Sequence, residues 1–322
     1  MSELLAVLCS DLHFSLNPPS ARSVETDWYG VMERQFRQII DLQQNDNDPV
    51  PLIVAGDIFD RWNPPPELIN FVMRLFDEVC VDPQDYGTGV YSIPGQHDLP
   101  NHQLSQIHRS AYGSLVQAKM VTDLHTPIEI HANQVNLILH PFPWGVPITP
   151  RVRVEARYPT IHLAVVHSFI WVPGCGYEGA PVGKLSSSYA ESLAGYDAAV
   201  FGDNHQGFSR DEMCGDAICR VVNCGTFLRR RIDEVKYQPR VGLLYDDGTI
   251  KEHYLDVAQD KFLEEPLARI HERLEIDATK LLDGFRSLGS DSLDFRQALQ
   301  ICFELQSTDK AVRDIVMDCM KS

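Results

Sequence analysis

Asp, His and amide side chains follow directly on short apolar runs at five places along the chain. The first run, LAVLCS, leads into Asp11 and His13. Residues two positions apart in an extended backbone face the same way, so these two side chains can reach one metal ion. The other runs are PLIVAG, VYSIPG, LAVV and AAVFG, and they lead into Asp57, Gln96-His97-Asp98, His167 and Asp203-Asn204-His205.

These polar groups are expected to converge, because ligands of an open α/β sheet bind outside the carboxyl ends of its strands. Oxygen and imidazole ligands without thiolates suit Mn²⁺, Mg²⁺, Fe²⁺ or Zn²⁺, and about eight candidates are enough for two ions. A single Asp or His at a strand end is more often a helix cap or a solvent-facing side chain. Five strand ends in order favour a metal site, since clustered titratable groups need a compensating charge.

The elements that must position these residues alternate between strands and helices, and a run of strands follows. We predict helices over 28–43 and from 64–66 onward. We predict strands at 4–9, 51–55, 90–93, 135–139, 161–166, 198–201, 218–222, 241–245 and 250–255. The composition changes near residue 259 to Leu-, Glu- and Arg-rich helical stripes. This predicts a main domain at 1–258 and a small helical appendage at 259–322.

Composition limits the class of protein. The 322 residues, 44% of them hydrophobic, suffice for one large domain with an appendage. No apolar run is long enough to cross a membrane, and the N-terminus lacks the basic region of a secretory signal, so a cytoplasmic location is expected. The net charge of −17 means that a polyanionic substrate must be held by local charge, bound metals or a partner.

The eight cysteines are scattered, which indicates reduced thiols. Cys214, Cys219 and Cys224 are not expected to share a zinc ion, because residues 219 and 224 would face opposite sides of a continuous strand.

Five blocks of the sequence resemble, in order and spacing, the signature blocks of the calcineurin-like metallophosphoesterases. They are Asp11-Leu12-His13, Gly56-Asp57-Ile58-Phe59-Asp60-Arg61, Gly95-Gln96-His97-Asp98, Val166-His167 and Gly202-Asp203-Asn204-His205. The resemblance covers about residues 4 to 257. The stretches AGDIFDRWNPPPELINFVMRLF, ILHPFPW and VVNCGTFLRRR look most like SbcD-like DNA repair exonucleases, including phage-encoded ones, which work with an SMC-like ATPase.

The resemblance implies a four-layer αββα sandwich, with two sheets face to face and helices outside. It also implies two divalent metal ions, of which Mn²⁺ is favoured and Mg²⁺ is the alternative. One ion would be held by Asp11, His13, Asp57 and His205, and the second by Asp57, Gln96, His167 and Asp203. His97 falls at the position of the family's catalytic histidine, and Asp98 is expected to orient its ring.

Two of these positions depart from the family pattern, which has Asn where this chain has Gln96 and His where it has Asp203. Both belong to the second ion. Together they give that ion a harder and more negative shell, which favours Mn²⁺ or Mg²⁺. The alternative is a weakened second site.

The expected function is hydrolysis of DNA phosphodiesters, as the nuclease subunit of a repair or recombination complex. The partners implied are DNA, an SMC-like ATPase docked on the C-terminal helices, and a second copy of the chain in a homodimer; no membrane is implied. The basic run Arg229-Arg230-Arg231 is the candidate for phosphate contact, against a plain solvated face. Two alternatives stay open: a phosphoesterase of a small substrate, such as a nucleotide or phosphoprotein, and a non-catalytic scaffold with a decayed second metal site.

Several further residues have a structural interpretation. Trp171, Tyr177 and Tyr189 in the Gly-, Pro- and Ser-rich segment 167–196 are more often loop anchors than base-stacking groups. His140 and His162 match no family position and are also read as structural.

Overall fold

Two six-stranded sheets form the body of the protein. The computed structural model describes residues 2–44, 49–79, 88–132, 135–154, 157–177 and 179–263. The first sheet has the strand order β12-β11-β1-β2-β3-β4 and the second β5-β6-β7-β8-β10-β9. The strands are β1 Leu4–Cys9, β2 Leu52–Val54, β3 Val90–Ser92, β4 Thr122–Asp123, β5 Ile128–Ala132, β6 Val135–Phe142, β7 Thr160–His167, β8 Ala198–Gly202, β9 Phe208–Cys214, β10 Ala217–Asn223, β11 Arg240–Tyr245 and β12 Ile250–Tyr254. The predicted fold class, an α/β sandwich with two sheets face to face, is confirmed.

The parallel strands determine where the polar loops meet. β1, β2, β3 and β4 are parallel neighbours in the first sheet, and β6, β7, β8 and β10 are parallel neighbours in the second. Parallel strands end at the same edge of a sheet, so the loops that follow β1, β2 and β3 lie side by side. The loops after β7 and β8 do the same in the other sheet.

The strands β1, β2, β3 and β8 are buried on both faces over nearly their whole length, as continuous apolar runs predict. In β2, Ile53 belongs to the core between the sheets, whereas Leu52 and Val54 belong to the core between the first sheet and its helices. A third core, which includes Val166 and Phe201, covers the outer face of the second sheet. Among the described residues, that outer layer consists of loop segments and short 3₁₀ helices such as Ser186–Tyr189.

Three α-helices are described: α1 Trp28–Gln43, α2 Pro66–Asp77 and α3 Ala111–Gln117. α1 has the predicted bounds, and the Asp27 carboxylate caps it by accepting a hydrogen bond from the Gly30 N–H at 2.9 Å. α2 begins at Pro66, where the missing N–H costs nothing. None of the described helices is both long enough and apolar enough to span a lipid bilayer.

Three strands and one helix escape the sequence pattern: β4, β5, β9 and α3. β4 has only two residues, and β9 (FSRDEMC) is a largely polar edge strand. Edge strands need no continuous apolar run, because one side faces solvent.

A buried ion cluster fastens residues 256–263 to the body. The Arg22 side chain is fully buried, and its Nη2 lies 2.8 Å from Asp260 Oδ1. Arg229 Nε donates to Asp260 Oδ2 at 3.0 Å, and the Leu263 N–H donates to the Ala21 carbonyl at 2.9 Å. The division at 258/259 stays a prediction, and the predicted helices beyond residue 263 lie outside the described residues.

Candidate metal centre

The polar loops after β1, β2, β3, β7 and β8 meet at one place between the two sheets. Asp11 joins them directly, because its carboxylate oxygens accept hydrogen bonds from the Asp203 N–H at 3.0 and 3.2 Å. Asp11, His13, Asp57 and His167 are each at most 1% exposed. Carboxylates and imidazoles from both sheets therefore share one buried pocket, as the spacing predicts.

Asp11, His13 and His205 form the first group of potential ligands. The Nε2 atoms of His13 and His205 are 3.1 Å apart. His13 Nε2 lies 3.9 Å from Asp11 Oδ1 and 3.8 Å from Asp57 Oδ2. These atoms are close enough to bind a single ion together.

Asp11, Asp57 and His167 form a neighbouring group. Asp57 Oδ2 lies 3.4 Å from His167 Nε2, and that nitrogen lies 2.6 Å from Gln96 Oε1. Gln96 Nε2 in turn donates to Asp203 Oδ1 at 2.6 Å. Gln96 thus contacts both Asp203 and the histidine of this group.

Two features of the donor set fit divalent cations. Asp57 Oδ2 is buried without a hydrogen-bond partner and faces both groups. His167 Nδ1 lies 2.6 Å from the Ala55 carbonyl, so it carries the proton and leaves Nε2 for the pocket. A shared carboxylate oxygen between two imidazole and carboxylate groups is the arrangement that two neighbouring cations require.

Burial and neighbouring charges shift the pKa values of the acidic and imidazole groups in the pocket. Burial raises the pKa of Asp11 to about 6. Burial alone would lower the pKa of His167, but the adjacent Asp57 carboxylate raises it to about 10. Burial acts against ionised Asp57 as well, yet the charge of His167 holds the Asp57 pKa below its usual range. The Asp57 carboxylate therefore favours a positive charge on His167, whereas burial holds the pKa of His13 well below its ordinary value.

The backbone is strained at the same residues. Asp11, His13, Asp57 and Asp203 have φ of 51°, 44°, 56° and 82°, in the left-handed region that side chains rarely adopt. Such strain persists where the surrounding structure imposes it, typically at active sites.

Two glycines let the loops approach one another. A Cβ atom on Gly56, whose φ is +88°, would collide with His167 Nδ1, and one on Gly95 would collide with the Asp57 carboxylate. The glycines that open these two sequence blocks are therefore required by close packing at the pocket.

His97 lies at the mouth of the pocket, with its ring 4.9 Å from that of His13. The backbone N–H of His97 donates to Asp57 Oδ1 at 2.8 Å, and the ring Nδ1 lies 2.9 Å from the Asp60 carbonyl. The ring is thus oriented by a backbone carbonyl, and the prediction that Asp98 orients it was wrong.

Asp98 instead holds the loop after β2. Its fully buried carboxylate accepts hydrogen bonds from the N–H groups of Asp57, Ile58, Phe59 and Gly95, at 2.9 to 3.3 Å. Burial, and next the charge of Asp57, raises the pKa of Asp98 to about 7, while the Gly95 and Phe59 donors oppose the rise. Its geometric role is to fix the backbone that carries Asp57.

The three arginines of the basic run do not act as one patch. Arg229 is buried, and it donates to Asp260 and to the carbonyls of Val235 and Val257. Its guanidinium is thus occupied within the fold. Arg230 borders a cavity of about 290 Å³ with Asp60, and Arg231 is exposed. These two remain the candidates for substrate contact.

Glu234 is a residue that the sequence pattern did not single out. Its Oε1 lies 3.8 Å from His205 Nδ1, and its Oε2 accepts hydrogen bonds from the N–H groups of Arg230 and Arg231 at 2.6 and 3.0 Å. A carboxylate behind a metal-binding imidazole is a common way to fix the ring. No local motif marks Glu234, since the contact depends on the chain turning back at residues 232–234.

A cleft of about 580 Å³ adjoins the pocket, and we call it the Trp144 cleft. It is lined by Trp144, Gly145, Val146, Pro147, Ile148, His167, Ser168, Lys184, Tyr189 and Ser192. Trp144 is half-buried, with its ring 6.3 Å from that of His167. Lys184 Nζ donates to Ser168 Oγ at 3.0 Å and pairs with no carboxylate of the described residues.

The other aromatic side chains of this region are mostly anchors. Trp171 Nε1 donates to the Pro181 carbonyl at 2.8 Å. The Tyr189 ring packs 5.5 Å from that of Phe201, in the outer core. Tyr177 is 58% exposed and lies 5.3 Å from the Phe169 ring.

The three cysteines that were considered for a zinc site lie in two different cores. Cys214 and Cys219 pack in the outer core, whereas Cys224 packs between the sheets and donates to the Leu8 carbonyl at 3.3 Å. The three thiols therefore do not converge.

The similarity of this chain to known proteins shows its family. No curated protein matches the chain. One crystal structure has a TM-score of 0.43 at 14% identity, over 80% of this chain and 100% of that chain. The sulfate thiohydrolase SoxB of Thermus thermophilus, in complex with glycerol, has a TM-score of 0.43 at 9% identity, over 80% of this chain and 57% of its own. The family model of the calcineurin-like phosphoesterases matches residues 5–183, more than half of the chain. The protein therefore belongs to the calcineurin-like phosphoesterase family.

Proposed function

We propose that this protein is a metal-dependent phosphodiesterase that degrades DNA, as the exonuclease subunit of a cytoplasmic repair or recombination complex. The SbcD-like stretches support this proposal from the sequence. The observation that carries it is the Trp144 cleft, which places a large aromatic ring and an ammonium group beside the metal centre. A base can stack on the ring, and a neighbouring phosphate can pair with the ammonium.

In this proposal Asp11, His13, Asp57 and His205 hold one cation, and Asp57, Gln96, His167 and Asp203 hold the other. Two divalent cations, Mn²⁺ or else Mg²⁺, would supply Lewis acidity and an activated water there. Gln96 Oε1 already lies 2.6 Å from His167 Nε2, and Asp203 accepts a hydrogen bond from Gln96 Nε2 through Oδ1.

Side chains of the protein would supply the proton for the leaving oxygen and the contacts to the phosphate backbone. His97 lies at the mouth of the pocket, where its imidazole can give a proton to the leaving oxygen. Arg230 and Arg231 are positioned to contact the phosphate backbone outside the pocket.

The net charge of −17 weakens binding to DNA by the chain alone, because backbone affinity depends on cationic side chains. A DNA-binding partner of the SMC-like ATPase kind, or pairing of two copies, would supply what the surface lacks.

A DNA digestion with added Mn²⁺ tests the proposal. Linear DNA, closed circular DNA and a simple phosphodiester are incubated with wild-type protein, with chelator and with His97→Ala. We expect linear DNA to be lost and closed circular DNA to be spared, and we expect the loss to be abolished by the chelator and by the substitution. Cleavage of the simple phosphodiester alone would point to a small substrate, and no cleavage of any substrate would favour the scaffold.

A further inference from the structure

A second concave site lies at the other end of the second sheet, and we call it the arginine cleft. It has a volume of about 530 Å³ and is lined by Arg151, Arg153, Arg157, His162 and Asp197, with Tyr158 at its border. His162 stands near the start of β7, whereas His167 ends that strand. Five residues of extended chain separate them by roughly 16 Å. The arginine cleft is therefore separate from the metal centre.

The segment that carries the arginines is fastened to the loop before β8. The Arg151 N–H donates to the Ala194 carbonyl at 3.0 Å, and Arg151 Nη1 donates to the Gly195 carbonyl at 2.7 Å. The Tyr196 hydroxyl donates to the Thr149 carbonyl at 2.9 Å. These bonds hold the backbone near Arg151 in place, so the cleft is a built feature of the fold.

The cleft carries excess positive charge. Arg153 forms an ion pair with Asp197, at 2.9 Å from Nη2 to Oδ1. Arg151 and Arg157 pair with no carboxylate among the residues that the structure describes. Two guanidinium groups that have no carboxylate partner among the described residues therefore border one concavity, in a chain of net charge −17.

Two imidazoles behind the arginines can add hydrogen bonds. His140 Nε2 lies 3.0 Å from His162 Nδ1. Burial, then His162 and then Arg151, lowers the pKa of His140 to about 4, and burial followed by Arg151 also lowers the pKa of His162. Both rings are therefore neutral at physiological pH. An anion in the cleft would offset the charge of Arg151 and favour a proton on His162.

We propose that the arginine cleft binds a phosphate group of a ligand distinct from the substrate at the metal centre. Guanidinium groups match phosphate geometry through paired N–H donors, and three of them converge here. The phosphate could belong to a free nucleotide or to the end of a nucleic acid strand, and the chemistry of recognition is the same for both.

Binding of inorganic pyrophosphate to the full chain, measured by calorimetry with chelator present, tests this site apart from the metal centre. We expect Arg151→Met and Arg157→Met each to weaken binding about ten- to hundredfold, the loss of a hydrogen bond to a charged group. Arg210→Met is the matched control, because Arg210 is half exposed, pairs with Glu212 and lies outside the cleft. It should leave the affinity unchanged.

Two further measurements make the outcome decisive. The NMR titration midpoint of His162 should rise when pyrophosphate binds to wild-type protein, and should not move in Arg157→Met. A 5′-phosphorylated oligonucleotide and its 5′-hydroxyl counterpart distinguish the two sources. Preference for the phosphorylated strand over AMP assigns a strand end, and equal affinity for AMP assigns a free nucleotide. The absence of pyrophosphate binding, or equal weakening by Arg210→Met, would overturn the proposal, whatever the metal centre hydrolyses.

Discussion

Asp98 stabilises the loop that carries Asp57, although its position beside His97 in the sequence suggests a role in orienting that ring. Asp98→Ala removes the acceptor of four buried N–H groups around Asp57. We expect the free energy of unfolding, measured in urea, to fall by about 3 kcal/mol or more, since each orphaned donor costs about 1–3 kcal/mol. Asp216→Ala in the exposed hairpin turn is the control and should change it little. A wild-type urea midpoint for Asp98→Ala would rule out this role.

Glu234 lies beside His205, and we expect it to position that ring. Glu234→Gln keeps an oxygen for the N–H groups of Arg230 and Arg231, but it removes the negative charge near His205. We expect Mn²⁺ affinity, measured by calorimetry, to fall about tenfold, the lower end for a carboxylate behind a metal-binding imidazole.

The control for this substitution is Glu191→Gln, because Glu191 is exposed and belongs to none of the groups of potential metal ligands. If Glu234→Gln and Glu191→Gln bind Mn²⁺ as tightly as the wild type, Glu234 does not position His205.

At the level of elements, the loop after β6 brings Trp144 to the cleft. Two reporters that release nitrophenolate, the p-nitrophenyl ester of thymidine 5′-phosphate and methyl p-nitrophenyl phosphate, differ only in the nucleoside. We expect Trp144→Ala to lower kcat/KM about fivefold or more for the nucleoside reporter, mainly through KM, because a stacked base contributes about 1–3 kcal/mol. The methyl reporter should be unaffected.

Trp144→Phe should retain most of the nucleoside preference, and Tyr177→Ala, an aromatic outside the cleft, should retain all of it. An equal loss on both reporters would mean that Trp144 supports the fold of the site and does not bind a base.

The pairing of β6 with β7 gives a pH dependence of stability. The folded-state pKa of His140, about 4, lies below its ordinary value of 6.5, so the unfolded chain binds more protons between these values. The contribution of His140 is therefore complete above about pH 6.5 and is lost as the pH falls toward 4. In His140→Gln, urea midpoints should depend less on pH across this window, and identical pH profiles would contradict the assignment.

The sequence predicted the strands and loops of the centre because their signals are local. Apolar runs end in polar residues, and the parallel strands of each sheet end at one edge, as Asp11 and His167 illustrate. β5 and β9 were missed because edge and half-polar strands resemble loops in sequence. The roles of Asp98 and Glu234 depend on backbone groups brought together by folding, which spacing does not encode.

For the whole molecule, ligand binding and stability depend on where the charged side chains lie more than on the net charge. Three separate sites of this acidic chain carry cationic groups: the Trp144 cleft with Lys184, the arginine cleft with Arg151 and Arg157, and the buried cluster of Arg22 and Arg229 around Asp260. The first two are open to ligands. The third is closed, so its effect is on folding alone.

Asp260→Asn tests the buried cluster. Among the described residues, the substitution leaves Arg229 without a carboxylate partner and Arg22 with Glu25 alone, whose Oε1 lies 2.7 Å from Arg22 Nη2. We expect the free energy of unfolding to fall by about 3–5 kcal/mol, as when one partner of a buried ion pair is removed. Asp233→Asn, at an exposed site, is the control, and equal stability of the two variants would show that the cluster contributes nothing.

The same cluster decides where the chain can be shortened. A fragment that ends at residue 255 retains every described strand, yet it loses Asp260, the Phe262 ring beside both guanidinium groups and the Leu263 backbone bond. A fragment that ends at 263 retains all three. Deletions meant to separate the catalytic body from the C-terminal region should therefore begin after residue 263, because an earlier cut would be mistaken for a requirement for the C-terminal region itself.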